Sequence, residues 1–232
     1  MILVPGTQFL EFLLQTFSLR GPLLDIPSPP TYHLYDGQAF SSPSPESSSS
    51  MNLHLGCDKR YIPGFTHIDL ADYPHIDHRH DIRTLPMIAD QTAELIYVCH
   101  ALEYFDRVEV LDVVREWRRV LREGGVLRVA VPDFEAMVAV YQKYGDLSLI
   151  HGPLFGRWQI HAASGAQCIY HRTTYDFKTL RGVLESAGFR DVHRYDWRTT
   201  LHRDYDDYSQ AYIPHMDKEH GMLISLNVEA VK

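Results

Sequence analysis

Cysteine is scarce: Cys57, Cys99 and Cys168 are the only three in 232 residues. They form no C-x-x-C pair, which excludes a zinc ribbon or a thioredoxin-type motif. So sparse and odd a set fits a reduced, cytoplasmic protein. Long apolar runs are missing too. No stretch approaches the roughly 18 to 20 residues a membrane-spanning helix needs, so no membrane association is expected. Basic charge is in deficit, with 22 Lys and Arg against 30 Asp and Glu and a net charge of −8. A nucleic-acid or anionic-membrane partner requires a basic patch, so neither is expected. The N-terminal stretch has no basic start, its first positive charge being Arg20, and does not read as a secretory signal.

What is present divides in two. Residues 21–50 are rich in Pro and Ser and end in Ser47-Ser48-Ser49-Ser50. Such a stretch buries too little apolar surface to offset its ordering entropy, so residues 1–50 read as a disordered leader. Met51 opens the regular part and is a candidate native start. From there short apolar runs at 52–55, 66–70, 94–99 and 126–131 read as strands, as do 189–197 and 222–231. Helical periodicity runs over 108–122, with Val110, Val113, Val114, Trp117, Val120 and Leu121 on one face and Gly124-Gly125 as its stop. Further helices are expected at 134–144 behind an Asp133 N-cap, and at 176–187 between Asp176 and Gly188. Strands alternating with helices imply a doubly wound, mostly parallel α/β sheet. Ligands of such sheets bind beyond the carboxyl ends of the strands, so the residues just after each strand are the informative ones.

After the first strand comes Gly56-Cys57-Asp58. A dinucleotide site wants G-x-G-x-x-G, and that pattern is absent. Asp58 would repel a pyrophosphate, whereas a cationic ligand tolerates it. Asp69 ends the second strand, where a carboxylate can accept bonds from vicinal ribose hydroxyls. Asp81 and Ile82 follow in a place suited to adenine, the carboxylate for the exocyclic amine and Ile82 for a ring face. His100 stands at the tip of the third clear strand. Glu103 lies just beyond, able to cap a helix or to meet an amino group.

These residues resemble a known family. Leu53-His54-Leu55-Gly56-Cys57-Asp58 with Gly64 and Asp69 is similar to L-x-L-G-C-G…G-x-x-x-x-D of the class I methyltransferases, in particular their methyltransferase-11-like branch. His100 to Phe105 resembles H-x-L-E-H-F, Glu116 to Leu127 resembles E-x-x-R-V-L-x-P-G-G-x-L, and His171 to Phe189 resembles H-K-T…L-L-x-x-A-G-F. The resemblance covers residues 52–232 and implies a seven-stranded Rossmann-like sheet with a C-terminal antiparallel strand. It implies an enzyme using S-adenosyl-L-methionine, bound by Gly56, Cys57, Asp58, Asp69, Asp81, Ile82, His100 and Glu103. Asp58 stands where the family has glycine, a departure that bears on cofactor affinity.

Methyl transfer needs alignment first, and a general base only where the acceptor is protonated. The candidates are His161, His171 and Asp133. Residues 145–172 and 198–221 read as substrate-side insertions, the first a long loop and the second rich in Tyr, Asp and His. The acceptor is expected to be a small molecule or saccharide, methylated on O or N. The alternative is a catalytically degenerate binding protein of the same fold. The run His75 to Asp81 reads as a loop and is not spaced as a metal site, and no metal is expected.

Overall fold

The computed structural model describes residues 51–162 and 165–232, with side chains outside 160–167. The expected leader, residues 1–50, lies outside them. The chain runs β1 (Met51–Leu55), β2 (Thr66–Asp69), β3 (His78–Arg79), β4 (Ala93–Cys99), α1 (Val110–Val120), β5 (Leu121–Pro132), α2 (Phe134–Tyr144), α3 (Ser148–Phe155), β6 (Trp158–Ala162) and β7 (Gly165–Ile169). It continues with α4 (Phe177–Ser186), β8 (Arg190–Arg194), β9 (Tyr212–Ile213), β10 (Met222–Leu223) and β11 (Ser225–Val231).

Seven strands form one sheet in the order β3-β2-β1-β4-β5-β11-β8. The first five pair in parallel, and β11 runs antiparallel to both β5 and β8. The chain works outward from β1 to β3, then returns to lay β4 on the other side of β1. The β1/β4 seam is therefore the switch point, where strand ends open a crevice.

The two faces of the sheet differ. Leu53, Leu55, Ile96, Val98, Leu127 and Val129 face α1 and α4 and form the main core with Trp117, Leu180 and Leu184. Helix α1 forms because Val110, Val113, Val114, Trp117 and Val120 repeat at three- and four-residue spacing and are all buried. Trp117 is fully buried, and its indole N–H donates to the Ile82 carbonyl at 2.8 Å. The opposite face carries His54, His67, Tyr97 and Cys99. The connections from β1 to β4 contain no helix, so Ile62, Phe65 and the 3-10 turn at Tyr208–Gln210 lie over this face with their neighbouring loops.

Three expectations need correction. Helix α1 ends at Val120, not at the glycines, and Leu121 already pairs with Ala93 as the start of β5. Gly124 and Gly125 lie within that strand, where Gly124 takes φ 73° beside a register shift in the β4 pairing. The helix terminus is closed instead by Lys232, whose ammonium donates to the Leu121 carbonyl at 2.6 Å. The 145–172 segment is no plain loop: it contains α3 and the β6–β7 hairpin. His78 and Arg79, read as loop, form the edge strand β3. No described helix is long and apolar enough to cross a membrane.

Candidate functional site

The crevice at the β1/β4 seam is built from backbone. Gly56 takes φ 65°, and its N–H donates to the Ile68 carbonyl at 2.9 Å. A Cβ there would stand 2.6 Å from the Ala101 Cβ and 3.5 Å from Ile82 Cδ1, so this position admits only glycine. Gly56, Ile82 and Ala101 thus meet at the switch point. Asp58 takes φ 49°, the left-handed region that Asp enters more readily than most residues. Its N–H donates to Asp69 Oδ2 at 2.8 Å, and the Ala71 N–H donates to Asp69 Oδ1 at 2.7 Å. Asp69 therefore holds the loop from the end of β2 and keeps lone pairs for a ligand. Burial pushes its carboxyl above the usual range, and these backbone donors work against that. Asp58 Oδ2 is buried without a hydrogen-bond partner, an orphaned acceptor in the loop itself. Cys57 points inward, its thiol kept neutral by burial, and offers the crevice backbone only.

Asp81 is already engaged. Its Oδ1 accepts the Arg83 N–H at 2.9 Å and its Oδ2 pairs with the Arg83 guanidinium at 2.5 Å, while Arg83 also reaches Glu109 at 3.2 Å. The 75–81 run serves the loops: His75 Nε2 bonds the Asp58 carbonyl oxygen at 2.9 Å, and Asp77 accepts the His67 N–H at 2.7 Å.

A second cluster lies beyond β4. His100 takes φ 51° at the strand tip, and its N–H donates to the Ala130 carbonyl at 2.8 Å. Its Nδ1 lies 3.7 Å from Glu103 Oε1, and His171 Nε2 lies 3.5 Å from the same oxygen. Glu103 is only 1% exposed, and neither carboxylate oxygen has a hydrogen-bond partner. Burial pushes its carboxyl up to about 8, and burial drives His100 down to about 3 and lowers His171. Two motifs far apart in the sequence, His100 to Phe105 and the one opened by His171, thus meet in space. Gly156 makes room for it, since a Cβ there would stand 2.2 Å from the His171 ring.

Asp133 does not join this cluster. Its Oδ1 caps α2, accepting from Glu135 N–H at 3.0 Å and Ala136 N–H at 3.4 Å, and its Oδ2 pairs with Arg194 at 3.1 Å. Both oxygens are committed to structure, which fits the N-cap and not a base. The His161 side chain lies outside the described residues. Sequence reasoning missed Ala101, and it missed Ser225 and Asn227. Those two polar residues alternate within apolar β11, a period-two signal that could have placed them on one sheet face. Among the described residues, no group of three or more His, Cys, Asp or Glu is placed to hold a metal ion.

Residues 66–129, from β2 through most of β5, match the family described as methyltransferase domain. The Gly56–Asp58 loop precedes that match. No curated protein matches the chain. Among solved structures, a methyltransferase dependent on S-adenosylmethionine from Methanosarcina mazei is 15% identical at TM-score 0.47, covering 81% of this chain and 94% of its own. One from Archaeoglobus fulgidus is 12% identical at TM-score 0.46, covering 79% and 86%. One from Mesorhizobium loti is 15% identical at TM-score 0.44, covering 81% and 94%. These are likenesses of outline and say nothing of the acceptor. The strand order, closed by antiparallel β11, is that of the Rossmann-like methyltransferases. The domain match covers residues 66–129 alone, and with this strand order it supports the class I methyltransferase fold.

Proposed function

We propose that the chain moves a methyl group from S-adenosylmethionine to an oxygen or nitrogen of a small molecule or saccharide, in the crevice at the β1/β4 seam. The observation that carries this reading is the Gly56 loop, where only glycine fits and a buried Asp58 oxygen stands unpartnered beside Asp69. That donor set suits a ligand without phosphate that brings hydroxyls and positive charge. When bound, the cofactor supplies an electrophilic methyl on a sulfonium. Gly56 lets the backbone approach it, Asp69 would hold the ribose hydroxyls, Ile82 would cover a face of the adenine, and Asp58 would meet its positive charge. Asp81 reaches the exocyclic amine only through the lone pairs that Arg83 leaves free. His100 and Glu103, expected among the cofactor residues, are in this reading given to the acceptor side of the crevice, with His171 as the histidine closest to a base role.

Titration calorimetry with S-adenosylmethionine and S-adenosylhomocysteine tests this, with Asp69→Ala alongside. Binding to the natural chain that weakens at least about tenfold in Asp69→Ala, a loss of about 1.4 kcal/mol or more, is expected. Undiminished binding in the variant would move the ribose contact elsewhere. No binding to the natural chain would favour the binding-protein alternative.

A further inference from the structure

The atoms facing Glu103 have their hydrogens fixed by their neighbours. Asn227 Nδ2 donates to the Ser209 carbonyl at 2.8 Å, which turns its Oδ1 to accept the Ser225 hydroxyl at 2.9 Å. Ser225 Oγ is therefore left to accept, and His100 Nε2, 3.1 Å away, carries the hydrogen. Neutral His100 then presents a bare Nδ1 to Glu103. On the other side, His171 Nδ1 lies 3.0 Å from the Pro153 carbonyl oxygen, which can only accept. Neutral His171 then presents a bare Nε2 to the same carboxyl. Two ring lone pairs thus converge on a buried carboxyl whose oxygens have no hydrogen-bond partner. The Tyr175 hydroxyl is also buried and unpartnered.

Among the described residues, no cation answers this pocket. The other groups around it are the Tyr104 and Tyr208 rings, which pack on His171 and His100, and Arg60, which stacks on Tyr208 at 4.6 Å. Arg172 sends its guanidinium away to Glu109 at 2.9 Å, while its backbone N–H holds the Glu103 carbonyl. Burying the Glu103 carboxylate without a donor is costly unless a ligand supplies the hydrogens. An alkylammonium does so: it brings three N–H donors and a positive charge to the carboxylate and the two ring nitrogens, whereas a hydroxyl brings one donor and no charge.

We propose that the pocket formed by His100 Nδ1, Glu103 and His171 Nε2 receives the ammonium group of a primary-amine methyl acceptor. This rests on the reading of the crevice as a methyl-transfer site. The carboxylate of Glu103 takes one proton from R–NH3+ and becomes the neutral acid, leaving R–NH2 with a free lone pair. Before the ammonium binds, Glu103 carries a proton that leaves to solvent as the ammonium enters.

The test titrates n-butylammonium chloride, and separately 1-butanol, into the full chain saturated with S-adenosylhomocysteine. It is run at pH 7 in two buffers of different ionisation enthalpy. Charge-assisted bonds predict that the amine binds about tenfold or more tighter than the alcohol, with release of a proton. Its affinity should rise as pH increases through about 8 and then level off, as the Glu103 proton no longer has to be displaced. Glu103→Gln should lose both the preference and the proton release, and His171→Ala should weaken the preference. Equal binding of amine and alcohol, no proton release, or an unchanged preference in Glu103→Gln would overturn the proposal. The wild-type pH series stands alone if that variant does not fold. Failure of S-adenosylhomocysteine itself to bind would instead sink the methyl-transfer reading.

Discussion

Replacing Gly56 with alanine sets the loop after β1 against the loop after β4, and the consequences separate into two measurable parts. The first is conformational. At φ 65° an L-residue costs about 1–2 kcal/mol. The second is steric. The new Cβ would lie 2.6 Å from the Ala101 Cβ, an overpacking of the kind that costs about 1–3 kcal/mol. Together they predict a loss of about 2–5 kcal/mol for Gly56→Ala. Ala101→Gly removes the collision and leaves the backbone strain. The double variant should therefore recover about 1–3 kcal/mol relative to the sum of the two single changes. Urea denaturation of all four proteins measures this coupling, provided the denaturant slope stays constant. Calorimetry with S-adenosylhomocysteine should show weakened binding in Gly56→Ala and partial return in the double variant. Strictly additive stabilities would refute the contact between the loops, and undiminished cofactor binding in Gly56→Ala would refute the backbone approach.

Trp117→Phe should cost about 1–3 kcal/mol in urea denaturation, because the Ile82 carbonyl loses its buried donor; a neutral change would mean that another donor reaches that oxygen. Tyr97→Phe strands Asp207 Oδ2 in a buried site and should destabilise by a similar amount, about 1–3 kcal/mol, read by thermal melting, and an unchanged melt would discount the bond. Stability should also fall on both sides of neutrality. Burial keeps His54 neutral and drives His100 to about 3 and His202 to about 4, so the unfolded chain binds more protons once pH drops below about 6.5. Stability is then whole above that value and declines toward pH 4. Glu103 acts oppositely: pushed up to about 8, it keeps a proton the unfolded chain has released, and its contribution fades as pH rises from about 4.5 through 8. Urea midpoints across pH should flatten on the acid side in His202→Phe and on the alkaline side in Glu103→Gln; parallel curves would contradict both.

Much of the fold is legible in the sequence because it rests on local period. Helix α2 runs over the residues its apolar spacing and the Asp133 cap indicate, and α4 sits between Asp176 and Gly188 as its capping box and turn require. The strands of the sheet follow the apolar runs to within a few residues. What is not legible depends on partners distant in the chain. The end of α1 is decided by Ala93 and Lys232, neither of which is near Gly124 in sequence. β3 exists because β2 lies beside it, and two residues such as His78 and Arg79 have no period to read. The site divides the same way. Gly56, Asp58 and Asp69 gather as their places after strands indicate. The meeting of Glu103 with His171 needs Gly156 and the 171–175 segment folded over β4, and the commitment of Asp133 to Arg194 needs β8 in place.

The position of β11 has a consequence for how the chain is made. Arg128 and Glu229, 101 residues apart, pair across β5 and β11 through a bond of 2.6 Å. Until β11 arrives, β5 is an open edge of apolar alternating residues, and β8 has no strand to join. An open edge of this kind templates pairing with other chains. Distant pairings also form slowly, because a long loop must close first. A ribosome-bound chain halted before residue 225 therefore holds a half-sheet with an adhesive border. Fragments ending there should aggregate on release, and they should bind a peptide of residues 222–232 supplied in trans.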